Sequence, residues 1–248
     1  MRRLPSPNHD ARPAGGAIDM LVLHYTGMRT AEAALARLCD PAAAVSAHYL
    51  VAEDGAVHAL VSEDRRAWHA GVAAWRGWTD INARSIGVEI VNPGHELGYR
   101  DFAEAQMAAV IALCREIVGR HPIPARHVLG HSDVAPGRKA DPGERFDWAR
   151  LAAAGVGLWP ARPVKGEMGM RLAPGDAGVA VAEVQRALAD FGYALPCHGR
   201  FDAATEAVVV AFQRHFRPAR IDGVIDPETA QLAHLVAQAA EAEDVATR

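Results

Sequence analysis

Cysteine is scarce and poorly spaced for chemistry. The 248-residue chain has three, Cys39, Cys114 and Cys197, with no CxxC pair among them. That argues against a disulfide framework or a thiolate metal cage, and the thiols are expected to be free and buried. Apolar runs long enough to span a bilayer are also missing. The start, MRRLPSPNHDARPAGGAIDMLVLHY, is basic but has no secretory apolar core; its first hydrophobic stretch carries Asp19 and ends at His24-Tyr25. A soluble protein of a reducing compartment is expected, cytoplasmic, or periplasmic if the start or export route is atypical. A basic excess is lacking too. Residues 1–160 hold 17 basic and 18 acidic side chains and residues 161–248 hold 9 and 12, for a net charge of −4. No nucleic-acid partner is expected from such a balance, and nothing marks an obligate protein partner. What remains is ordinary globular composition, half hydrophobic and 23% charged, enough for one large domain or two modest ones.

The pattern divides near residue 160. Before it, strand and helix signals alternate. Ile18–Tyr25 suits a buried strand, and Thr30–Cys39 reads as a helix that starts on a Thr cap and stops at Asp40-Pro41. Ser46–Ala52 and Ala56–Val61 flank Glu53-Asp54-Gly55, a hairpin signal. Ser85–Val91 is a further strand, Phe102–Gly119 a long amphipathic helix, His127–His131 a strand and Asp147–Ala154 a short helix. The order predicts an α/β unit over residues 1–160, a mixed central sheet flanked by helices. Residues 161–176 are rich in Pro and Gly and read as a linker. Residues 177–248 carry three helical patterns and no strand, a small all-α unit. Within it His198–Thr205 echoes Asp222–Thr229, each copy with a turn glycine and an aspartate placed to cap a helix.

Twelve histidines is a high count, and His24 and His131 stand where strands end. Asp141 follows in the loop GRKADPG. Two imidazoles and a carboxylate suit a catalytic zinc, which takes three protein ligands and keeps a fourth position for water. Spacing alone leaves open that these are capped or partly exposed side chains, since no local motif joins them. Asp133 competes with Asp141 as third ligand, although its place two residues after His131 leaves little freedom to close a tetrahedral site. In SIGVEIV, alternation sets Glu89 on the face opposite Ile86, Val88 and Ile90. It is a general base aimed into a polar cavity or an exposed edge carboxylate. Lys139, two residues before Asp141, is an oxyanion stabiliser or a solvated loop lysine. Trp68, His69 and Arg138 are candidate contacts for sugar or peptide carboxylates, and His48 reads as a structural group.

LHYTG (Leu23–Gly27), VSAHYLV (Val45–Val51), RAWHAG (Arg66–Gly71), SIGVEIVN (Ser85–Asn92) and GHSDVAPGRKADPG (Gly130–Gly143) together resemble the zinc-dependent N-acetylmuramoyl-L-alanine amidases. The likeness runs in order over residues 18–160. Carried over motif by motif, it implies one Zn2+ per chain on His24, His131 and Asp141. It implies Glu89 as catalytic acid/base and Lys139 as transition-state stabiliser. The implied reaction is hydrolysis of the amide between N-acetylmuramic acid, or its 1,6-anhydro form, and L-alanine of the stem peptide, in peptidoglycan recycling or turnover. Peptidoglycan or muropeptide fragments are the implied partners. Two alternatives stand beside it: a non-catalytic recognition protein, and a zinc peptidase acting within the stem peptide.

The last third is similar to the peptidoglycan-binding domain that often accompanies such amidases. Pro174-Gly175-Asp176, Val184-Gln185, Gly192-Tyr193, Ala211-Phe212-Gln213 and Ile221-Asp222-Gly223 carry the likeness. His198-Gly199 stands where that family usually has Asp-Gly.

Overall fold

A computed structural model describes residues 1–161 and 171–246, so part of the expected linker, 162–170, lies outside the described residues. Strands β1 (Arg2–Arg3), β3 (Met20–Tyr25), β4 (Tyr49–Val51), β5 (Val57–Ala59), β7 (Ser85–Ile90) and β8 (Val128–Gly130) form one sheet, ordered β1-β5-β4-β7-β3-β8. Strand β2 (His9–Ala11) pairs with β6 (Arg65–Ala67) apart from it. Strands β4, β7, β3 and β8 run parallel, while β4 and β5 make the antiparallel hairpin turned at Gly55, whose φ is 83°. Around the sheet lie helices α1 (Ala31–Cys39), α2 (Ile81–Arg84), α3 (Gly94–Leu97), α4 (Glu104–Arg120), α5 (His131–Val134) and α6 (Trp148–Ala153). Three more follow: α7 (Val179–Phe191), α8 (Ala203–Phe216) and α9 (Pro227–Ala246). The fold is a mixed sheet flanked by helices, with a helical C-terminal region.

Alternation along the two central strands decides what each sheet face does. Leu21, Leu23, Ile86, Val88 and Ile90 point to one side and pack against Met107, Val110, Leu113, Cys114 and Ile117 of α4. Each such side chain taken from water contributes about 1.5–3 kcal/mol. Met20 and Val22 point to the other side, where they share a core with Trp75, Leu129 and the C-terminal residues Val181, Leu188, Phe191 and Phe212. His24 and Glu89 continue this second face at the carboxyl ends of their strands. That is where parallel sheets usually offer a crevice.

Several details differ from the sequence reading. The first long strand begins at Met20, not Ile18, and α4 begins at Glu104 because Ala103 takes extended backbone as its cap (φ −62°, ψ 148°). His131 opens a helical turn instead of ending a strand, since Asp133 folds back to accept from the Gly130 N–H at 2.8 Å. Of the three free thiols only Cys114 is buried; Cys39 is half-buried and Cys197 exposed. Within the described part of the stretch read as a linker, Leu172 and Ile225 exchange both backbone hydrogen bonds at 2.9 Å.

The repeat in the C-terminal third has a clear physical basis. Gln185 accepts from Gly199 N–H and donates to Thr205 Oγ1; Gln213 accepts from Gly223 N–H and donates to Thr229 Oγ1. Both glycines hold positive φ, 72° and 69°. Asp202 and Asp226 accept from the N–H of Thr205 and Thr229, capping α8 and α9 as expected.

Candidate active site

Parallel pairing of β3 with β7 puts His24 directly opposite Glu89, so both side chains leave the same face side by side. The Gly130 turn brings His131 up from the neighbouring strand, and Ser132 N–H donates to Asp141 O at 2.9 Å, drawing the loop back over it. The outcome is a cluster of three. His24 Nδ1 lies 3.0 Å from His131 Nδ1 and 2.9 Å from Asp141 Oδ2, and His131 Nδ1 lies 3.0 Å from the same oxygen.

The hydrogen-bond partners fix which ring atoms carry protons. His131 Nε2 faces the Ala70 carbonyl at 2.9 Å and so carries the hydrogen, leaving Nδ1 as a lone pair. Arg138 Nη2 donates to that same carbonyl and to Val72 O, both at 2.6 Å, which explains its 3.3 Å approach to His131. A longer relay governs His24. Ser85 Oγ donates to Ile81 O at 2.7 Å and therefore accepts from His69 Nε2–H at 3.1 Å. His69 Nδ1 is then an acceptor and receives His24 Nε2–H at 3.1 Å, which frees His24 Nδ1. Two imidazole lone pairs and a carboxylate oxygen thus face one another with no proton between them.

Such a set repels itself unless a cation stands among the three, and its spacing fits one. Tetrahedral ligands 2.0–2.1 Å from zinc lie about 3.3 Å apart. Each histidine also donates its second N–H to a fixed acceptor, the usual outer support of a metal-bound imidazole. The donor set therefore suits a metal ion. Among the described residues, this trio is the group whose ligand atoms all lie within 4.8 Å of one another.

Electrostatics agree with that arrangement. Burial, helped by His131, pushes His24 down to about 4, so its ring is neutral at pH 7. Burial opposes ionisation of Asp141, and its carboxyl falls below the usual range only through positive charge on the His131 and His24 side, a role that a cation among the three fills when both rings are neutral. Glu89 is different. Burial, then the Asp141 charge, raises it well above an ordinary carboxyl, with Lys139 opposing. Its Oε2 is enclosed and has no hydrogen-bond partner. A carboxyl so placed can take up a proton and return it.

The trio and Glu89 line a cleft of about 440 Å3 with Lys139, Trp68, His69, Arg138, Tyr25 and His95. Lys139 is exposed and makes no ion pair among the described residues. Trp68 is half-buried, its indole N–H turned to Asp10 at 3.3 Å. His69 has both nitrogens engaged, while Arg138, exposed on the cleft, clamps the 70–72 backbone through Nη2 alone. His48 is a strut: its Nδ1 accepts from Gly87 N–H at 2.9 Å, and burial beside Arg12 lowers it to about 3. Gly87 is required by contact, since a Cβ there would lie 2.5 Å from the His69 ring.

Asp133 lies away from the trio. Besides Gly130 N–H it accepts from Tyr193 Oη at 2.6 Å and His215 Nδ1 at 2.8 Å. Ser85, Tyr193 and His215 were not visible as site residues in the sequence. Their partners lie 16, 60 and 82 residues distant, so no local pattern signals them.

Comparison with known proteins gives a consistent picture. Residues 14–144 match the N-acetylmuramoyl-L-alanine amidase family and residues 177–232 a peptidoglycan binding domain. The N-acetylmuramoyl-L-alanine amidase AmiD of Escherichia coli is 38% identical over 236 residues, 90% of this chain and 83% of its own length. The 1,6-anhydro-N-acetylmuramyl-L-alanine amidase AmpD of Escherichia coli is 38% identical over 60% of this chain and 89% of its own. Among solved structures, AmiD in complex with anhydro-N-acetylmuramic acid-L-Ala-D-gamma-Glu-L-Lys superposes with a TM-score of 0.77 at 34% identity, covering 92% of both chains. AmpDh3 of Pseudomonas aeruginosa in complex with anhydromuramic pentapeptide gives 0.77 at 30% identity, covering 95% of this chain and 98% of that one.

Proposed function

This chain belongs to the N-acetylmuramoyl-L-alanine amidase family, and from that premise we propose that it uses zinc, held by His24, His131 and Asp141, to free L-alanine of the stem peptide from N-acetylmuramic acid. The observation that carries the zinc assignment is the convergence of three unprotonated donor atoms, each within 3.0 Å of the others, beside a partnerless carboxyl.

When bound, zinc supplies Lewis-acid polarisation of the amide carbonyl and makes a water more acidic. The chain's own groups do the rest. Glu89, whose affinity for a proton is raised by burial, takes a proton from the attacking water at a carboxylate oxygen. It then returns that proton to the departing amine of L-alanine, which an unassisted amide cannot expel. The Lys139 ammonium offsets the negative charge that grows on the carbonyl oxygen. The Ser85–His69 relay keeps His24 in the tautomer that leaves Nδ1 free, and Ala70 O does the same for His131.

The substrate we propose is a peptidoglycan fragment carrying 1,6-anhydro-N-acetylmuramic acid, in wall recycling or turnover. Support comes from the two relatives whose structures hold anhydromuropeptides. Trp68 remains a candidate sugar contact on the cleft wall. The matched C-terminal region supports a second, glycan-contacting role over residues 177–248. For the compartment, three unpaired thiols favour the cytoplasm, and fractionation of native cells decides it.

The test is mass analysis of products from a defined anhydromuropeptide, with and without a chelator. The amidase reading expects a peptide-free sugar that disappears on chelation. A peptidase cutting within the stem would leave residues on the sugar, and an unchanged substrate would sink the hydrolase reading.

A further inference from the structure

The C-terminal helices reach into the metal-binding turn itself. Asp133 is fully buried and accepts three hydrogen bonds, only one of them, from Gly130 N–H, made within its own turn. The other two come from the C-terminal third: Tyr193 Oη at 2.6 Å, just past α7, and His215 Nδ1 at 2.8 Å, on α8. Neither donor is adjustable. Tyr193 packs edge-on against Trp75, and the His215 ring stacks on Trp148 at 3.8 Å. Gly130 and His131 are the residues whose placement Asp133 sets, because its carboxylate folds the chain from β8 into α5. Beside this, Arg214 of α8 lies 3.4 Å from Glu144, which holds His95 on the cleft wall at 3.1 Å. The same helix therefore braces both sides of the loop that carries Asp141.

We infer that Tyr193 and His215 are positioning residues for the metal ligand His131, so that the C-terminal unit is a working part of the metal centre as well as a candidate wall-binding module. The inference rests on His131 being a ligand, as proposed above. A metal-bound imidazole must be held to within about 0.5 Å. Fixing its turn with two donors from another unit reduces the motions that would loosen it. Loss of a group supporting a ligand directly usually weakens metal binding 10–100-fold. One layer further out, about three- to tenfold is expected.

The test uses the full chain, loaded with zinc in competition with a chromophoric chelator and separately with Co2+ for its visible spectrum. Tyr193→Phe and His215→Leu are each expected to weaken zinc three- to tenfold and to change the cobalt bands. His215→Asn, which keeps a donor near the Nδ1 position, restores both. Arg76→Ala is the control. It breaks contacts to Asp190 O and Asp244 elsewhere in the same interface, and is expected to lower the melting temperature without touching affinity or spectrum. Tyr193→Phe and His215→Leu chains with wild-type affinity and superimposable spectra would overturn the inference, as would losses that Arg76→Ala reproduces. If Tyr193→Phe does not fold, the His215 pair decides alone. A wild-type chain that takes up no metal would instead sink the ligand assignment itself, and this inference with it.

Discussion

Replacing Ser85 with alanine removes one oxygen that no substrate can touch, since the side chain is wholly buried, yet it is expected to loosen the metal. Ser85 Oγ is the acceptor for His69 Nε2–H at 3.1 Å, and His69 Nδ1 is the acceptor for His24 Nε2–H at 3.1 Å. Without that oxygen the buried His69 N–H has nowhere to donate, a cost of about 1–3 kcal/mol. His69 can relieve it by moving its proton to Nδ1, but then His24 must give up its own donor and turn its lone pair away from the trio. Either way part of the cost falls on zinc binding, about 10-fold in affinity, or roughly 1.4 kcal/mol. Chelator competition on Ser85→Ala, His69→Ala and the double variant measures it. Groups in one hydrogen-bond chain do not act independently, so the double variant is expected to lose less than the two singles together. Wild-type zinc affinity in Ser85→Ala, or strictly additive losses, would refute the relay.

Glu89→Gln keeps the shape of the side chain but cannot move a proton. It is expected to retain one zinc per chain and lose about 10²–10⁴-fold in turnover, by single-turnover assay on an anhydromuropeptide. Gly87→Ala drives a methyl to 2.5 Å from His69 and is expected to cost about 1–3 kcal/mol in urea unfolding and to weaken zinc; unchanged stability would show that the ring is free to move. In the metal-free protein His24 and His127 are lowered to about 4 and His48 to about 3, all by burial first. Below pH 6.5 the unfolded chain binds these protons and the folded chain does not. Stability is therefore expected to fall from pH 6.5 toward 4 by up to about 1.4 kcal/mol per pH unit for each histidine. Urea midpoints that stay flat over that window would contradict the assigned neutral rings.

Much of the site was legible because its residues sit at strand ends, where short apolar runs break on a polar side chain. His24 is marked that way, and His131 follows directly on the last residue of its strand. Alternation alone put Glu89 opposite Ile86 and Val88, and the register opposite His24 follows once the two strands are parallel. What was hidden was direction. Asp133 ranks below Asp141 in sequence only on spacing, and the donors that turn it away include Tyr193 and His215, remote in the chain, beside the local Gly130 N–H. His69 and Arg138 read as substrate contacts because their motif looks like a free surface; in the fold His69 accepts from His24 and donates to Ser85, and Arg138 donates through Nη2 to the Ala70 and Val72 carbonyls. The C-terminal third reads as separate because its helices have their own period. Met20 and Val22 are as apolar as any core strand, and nothing in them tells that they share a core with Phe191 and Phe212.

The most direct test is metal analysis of the purified chain beside its Asp141→Ala variant. One zinc per wild-type chain, lost in the variant together with release of L-alanine-headed peptide, is the predicted result. A wild-type chain that hydrolyses the amide with no bound metal, or an Asp141→Ala chain that keeps both ion and activity, would contradict the account.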